Sequence, residues 1–157
     1  MDGPVIAAII AAASAVVVYF LGQRQASLER RRKACAEAVA DALAWLELPY
    51  RIRRRLDNTK EALGALVERI HHLQERLAFH ESWLRVELPQ AHKIYRELLD
   101  SVRASARSAL QDAWRASPMS DAAEMNIGDL GLQPVDSLVE SFSQEVRKHL
   151  AIWRVWE

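Results

Sequence analysis

The chain has 157 residues, a formal net charge of zero and a single cysteine, Cys35. That length leaves room for one domain with a modest core, and a lone cysteine excludes an intramolecular disulfide and fits a reducing compartment. The neutral balance conceals an asymmetry, because residues 22–60 hold ten Lys+Arg against five Asp+Glu while residues 61–157 hold eleven against fifteen.

Residues 5–21 carry no charge, and the first basic side chain after them is Arg24. At about 1.5 Å per residue the run spans roughly 26 Å, and with Pro4 and Gly22 at its ends it matches a hydrocarbon core of roughly 30 Å. Val5, Ile6, Ile9, Ile10, Val16, Val17 and Val18 supply most of the transfer energy, diluted by six alanines. Pro4 suits a first helical position, where its missing N–H costs nothing. The expectation is a transmembrane helix over residues 4–22, with residues 1–3 as a short extracytoplasmic tip.

Competing readings fare worse. A secretory signal peptide needs basic residues before the apolar core and small residues after it, whereas Asp2 precedes this run and Val16, Val17, Val18, Tyr19, Phe20 and Leu21 close it. No polar face exists for an amphipathic surface helix, and a buried core helix is the remaining alternative. Arg24, Arg30, Arg31, Arg32 and Lys33 follow the run against one acid, Glu29. Basic flanks stay on the cytoplasmic side, which predicts a single-pass protein with its N-terminus outside and residues 23–157 cytoplasmic. These basic residues and Tyr19 are the expected membrane-interface groups, with lipid as one partner. Arg outnumbers Lys seventeen to four, a bias shared by GC-rich bacterial genomes, so the membrane is read as a bacterial inner membrane. Gly3, Ala7, Ala11 and Ala15 recur every four residues, a small-residue ridge that lets two helices approach closely.

Beyond the run every periodicity is helical, and the fold class expected is all-α. The first helix continues the membrane segment through 23–48, to be ended by Pro49. A second helix is expected over 50–87. There Ile52, Leu56, Thr59, Leu63, Leu66, Ile70, Leu73, Leu77, His80 and Leu84 recur at alternating four and three, the seam of a helix packing nearly parallel to another. Leu63, Leu66, Ile70, Leu73 and Leu77 are its helix-association residues, and the seam leaves open whether the partner helix lies in the same chain. Pro89 breaks the chain, and a third helix over 90–116 carries the stripe Ala91, Ile94, Tyr95, Leu98, Leu99, Val102, Ala106, Ala109, Leu110 and Ala113. Residues 117–133, with Pro118, Asn126, Gly128 and Gly131, form a loop. A last helix over 134–156 places Val135, Leu138, Val139, Phe142, Val146, Leu150 and Trp153 on one side. The architecture predicted is a cytoplasmic bundle of about four helices; an elongated oligomeric coiled coil is the alternative.

Chemistry-bearing motifs are scarce. His71, His72 and His80 share one helix with Glu68 and Glu75, but no HExxH occurs and Glu-x-x-His appears once, at Glu68 and His71. No GxSxG is present and no glycine belongs to a phosphate loop. The arginines lack interleaved aromatics and a recognisable module, which argues against a nucleic-acid partner. No enzyme activity, cofactor, metal site or small-molecule substrate is therefore expected. Arg53, Arg54 and Arg55 and the near-terminal Trp156 are the expected contacts to a protein partner or a second copy. Together these features predict a non-enzymatic membrane-anchored interaction or scaffold protein. The alternative is a membrane-perturbing effector whose transmembrane helices cluster when the cytoplasmic domain is triggered.

Overall fold

Between Pro4 and Pro49 the only glycine or proline is Gly22, and the computed structural model carries one helix there, α1 (Gly3–Leu46). The structure describes the backbone of residues 3–119, 128 and 130–152, and the side chains of residues 10–119, 128 and 130–151. Four more helices follow: α2 (Leu48–Arg53), α3 (Lys60–Glu87), α4 (Pro89–Arg115) and α5 (Asp136–Ile152). All regular structure among the described residues is helical. The chain divides into two units, Met1–Ala34 and Cys35–Glu157.

In the first unit the described side chains begin at Ile10 and are exposed through Gln23. Among the described residues no helix is long and apolar enough to cross a membrane. The uncharged stretch 10–21 alone falls short of the roughly 17–25 residues a span needs. Of the expected segment, the side chains of Val5, Ile6, Ala7, Ala8 and Ile9 lie outside the described residues, as does any placement of the Gly3–Ala7 part of the small-residue ridge beyond its helical backbone.

In the second unit α4 lies against α2, α3 and α5. Its stripe runs Ala91, Tyr95, Leu98, Leu99, Val102, Ala106, Ala109 and Ala113, all buried. This is an apolar face at helical spacing, and burying a leucine or valine stabilises by roughly 1.5–3 kcal/mol. Cys35, Ala38 and Ala42 bring the end of α1 into the same core, and Val135, Phe142, Val146 and Leu150 bring in α5. Tyr95 sits where these meet. Its ring lies 5.7 Å from that of Phe142, and its hydroxyl donates to the Ala38 carbonyl at 3.2 Å.

Two connections follow from proline. Leu88 takes φ −141°, ψ 67° ahead of Pro89, which opens α4. The ring of proline drives its predecessor out of the helical region, and here that predecessor is turned inward and fully buried. Pro49 acts differently from the terminator expected of it. The break falls at Glu47, and Pro49 occupies the first turn of the short helix α2.

The helix expected over 50–87 is interrupted. Arg54 and the residues through Thr59 leave the helix, and α3 starts at Lys60. The Asp57 carboxylate accepts from both the backbone N–H and the hydroxyl of Thr59, at 2.9 and 2.7 Å. Thr59 then caps α3, its oxygen accepting from the Ala62 N–H. Such side-chain bonds outcompete helical continuation. Ile52 consequently belongs to the α2 core, Leu56 is 67% exposed, and the seam proper begins at Leu63.

Candidate functional site

Two surfaces stand apart from the packed interior. The first is the apolar run of α1. Val16, Val17, Val18, Tyr19, Phe20 and Leu21 are each more than half exposed. Six consecutive residues cover more than one helical turn, so every face of the helix is bare apolar surface. Ala11 and Ala15 of the small-residue ridge are exposed as well. Tyr19 packs edge-on against Phe20, centroids 5.8 Å apart. Of the expected interface residues, Arg30 and Lys33 are exposed, Arg24 and Arg31 are half-buried, and Arg32 reaches Glu29 at 3.8 Å.

The second surface lies between α2 and α3. The seam of α3 passes from half-buried at Leu63, Leu66 and Ile70 to buried at Leu73, Leu77, His80 and Leu84. A groove of about 500 Å³ opens beside its less covered half, with Leu48 and Leu73 on its apolar part and Arg51, Arg69 and Arg76 around it. Arg76 is committed to Asp41 of α1, Nη2 to Oδ1 at 2.6 Å. The other carboxylate oxygen of Asp41 faces Nε2 of His80 at 3.2 Å. His80 thus holds α3 to α1, as a histidine at a seam position would, while its Nδ1 has no hydrogen-bond partner among the described residues. The side chains of Arg51 and Arg69 have no ion pair among the described residues, and both are exposed.

The remaining histidines make pairs rather than a cage. His72 faces Glu68 through Nε2 at 3.1 Å and Glu75 through Nδ1 at 3.3 Å, and His71 faces Glu75 at 3.2 Å. No group of three or more metal-type ligands assembles among the described residues. At the far end of α3, Glu81 lies 3.9 Å from both His92 and Arg96 of α4. Burial, with the Arg85 charge nearby, holds the His92 imidazole below its ordinary range. Burial and the Asp41 charge push the Tyr95 hydroxyl up.

The arginines expected to meet a partner separate into three fates. Arg53, half-buried, lines a groove of about 330 Å³ with Asp112 of α4 and Leu130. Arg54 lies over the Tyr50 ring, 5.9 Å from its centroid. Arg55 corrects the expectation, because it is only 7% exposed and points inward. Its Nη1 donates to the carbonyls of Ile52 and Ala113 at 3.0 and 2.8 Å, its Nη2 to those of Trp114 and Ala116, and its Nε to Asn58. The last carbonyls of a helix lack intrahelical partners, and a guanidinium fork satisfies several at once while its charge offsets the helix dipole. Arg55 is therefore the C-terminal cap of α4 and is not available to a partner. Its own carbonyl accepts from Met119, and Tyr50 accepts from Leu130, so one flank of the expected loop returns to the segment just after α2 and the other to α2. Trp156, like Trp153, lies outside the described residues.

The second unit defines an all-α, bundle-like protein. No protein-family model, curated protein or solved structure matches the chain.

Proposed function

We propose that this chain is a non-enzymatic, single-pass membrane-anchored interaction protein. Residues 4–22 sit in the bilayer of a bacterial inner membrane, and the helical unit on the cytoplasmic side binds a protein partner or a second copy. The observation that carries the reading is the bare apolar surface of residues 16–21 on all sides of α1. A helix apolar all round needs an apolar surrounding, and a contiguous patch of that kind is not left to water. The basic residues that follow it match a cytoplasmic flank, where each adds on the order of 1 kcal/mol of attraction to an anionic leaflet.

Membrane flotation after an alkaline carbonate wash tests it. The full-length protein is expected to rise with the lipid, and trypsin outside spheroplasts is expected to leave the arginine-rich segment after Arg24 uncut. Recovery in the aqueous fraction after the wash would overturn the anchor.

A further inference from the structure

We infer that the groove between α2 and α3 is a docking site for an acidic, amphipathic helical segment of a partner protein. The inference deepens the interaction reading above and rests on it.

The groove combines two properties that a purely structural gap does not need. Ala44 and Ala65 give it accessible apolar surface above the buried Leu48 and Leu73, and its volume of about 500 Å³ has room for several side chains. Arg51 on α2 and Arg69 on α3 stand at its walls and form no ion pair among the described residues. A helix laid between two others presents apolar residues at i, i+3, i+4 and i+7 to such a surface and carboxylates to the flanking guanidinium groups. Guanidinium forks pair with carboxylates in bidentate fashion, so the walls select for acid. Arg76 is not part of this selection, because Asp41 already neutralises it. The one acid among the lining residues, Glu68, is engaged by His72.

A free anion explains less. It would use the two arginines, which project from different helices, but not the apolar surface of Ala44 and Ala65 in the same lining. Charge complementarity and the apolar surface of Ala44 and Ala65 are satisfied together by an acidic amphipathic helix.

The test uses full-length protein in detergent micelles and a fluorescein-labelled synthetic helix with leucine at i, i+3, i+4 and i+7 and glutamate elsewhere, read by fluorescence anisotropy. Saturable binding is expected, weakened by about tenfold or more in Arg51→Glu/Arg69→Glu. Ala65→Trp, at an exposed position in the groove lining, is expected to weaken binding without changing charge. Glu68→Gln is expected to strengthen it. Circular dichroism melts establish that each variant is folded. Equal affinity for a lysine-for-glutamate peptide overturns the inference, as does undiminished binding to the folded groove variants. Displacement by inorganic phosphate, or by vesicles of anionic lipid, overturns it in favour of a simple anion site or a headgroup site. Flotation of the same preparations separates the two readings. Protein that floats but binds no peptide fails here and keeps its anchor, whereas protein that does not float loses the anchor whatever the peptide does.

Discussion

Two apolar stretches of this chain meet opposite fates. Residues 16–21 are each more than half exposed, while Leu98, Leu99 and Val102 of α4 are all but fully buried. The difference lies in the pattern rather than in the amount of apolar surface. In α4 the apolar residues alternate with Arg96, Glu97, Asp100 and Arg103, which leaves a stripe that neighbouring helices cover. In residues 16–21 no polar position interrupts the run, so covering one face leaves the others bare. A stripe is covered by neighbouring helices, whereas this run stays exposed.

The contrast is sharpest when each stretch is broken separately. Leu98→Ala is expected to cost the second unit about 3 kcal/mol, since the cavity adds to the lost transfer energy. It would appear as a lower urea midpoint, with membrane retention unchanged. Val17→Asp is expected to do the reverse. A carboxylate within the proposed span costs up to about 2.5–3.5 kcal/mol of insertion, the value at a span's centre, so the protein is expected to shift to the aqueous fraction in flotation while the melt of the helical unit stays in place. If Val17→Asp lowered that melt as much as Leu98→Ala does, the two stretches would share one core and the comparison would collapse.

Arg55→Ala comes next, at about 2 kcal/mol, because it strands the last carbonyls of α4 in a buried setting. Arg55→Lys is expected to recover little of this, since an ammonium cannot span the carbonyls that the planar fork reaches.

The smallest effects are those of pH. His92 takes up a proton less readily folded than unfolded, its ordinary value being 6.5. Its contribution to stability is whole above that value and declines as pH falls below it. Tyr95 holds its proton more tightly folded than unfolded, so stability declines as pH rises past its ordinary value of 10.0. Urea titrations across both ranges check this, with His92→Gln flattening the acid limb and Tyr95→Phe the alkaline one.

Much of the helical framework was legible from residue spacing. The stripe from Ala91 to Ala113 and the boundary at Pro89 are local properties, set by the helical period and by the steric demand of a proline ring. The seam was legible only in part. Leu56 and Thr59 keep the four-and-three spacing, yet both fall in the break between Arg53 and Lys60, where Asp57 binds Thr59. The signal was present in Asp57, Asn58 and Thr59, three residues that favour turns and caps, but an apolar pattern running through them concealed it.

The candidate surfaces show the same division. Arg53, Arg54 and Arg55 are adjacent in sequence, and it is the tertiary structure that puts Arg53 at a groove, Arg54 on an aromatic ring and Arg55 on a helix end. Likewise nothing local marks Asp41 as the partner of both Arg76 and His80. Helix type, apolar faces and the unbroken apolar run were determined by the sequence itself, because they depend on neighbours within a few residues. Which charges are buried and which remain free was decided only by the tertiary structure, because desolvation and pairing depend on groups that folding brings together from tens of residues apart.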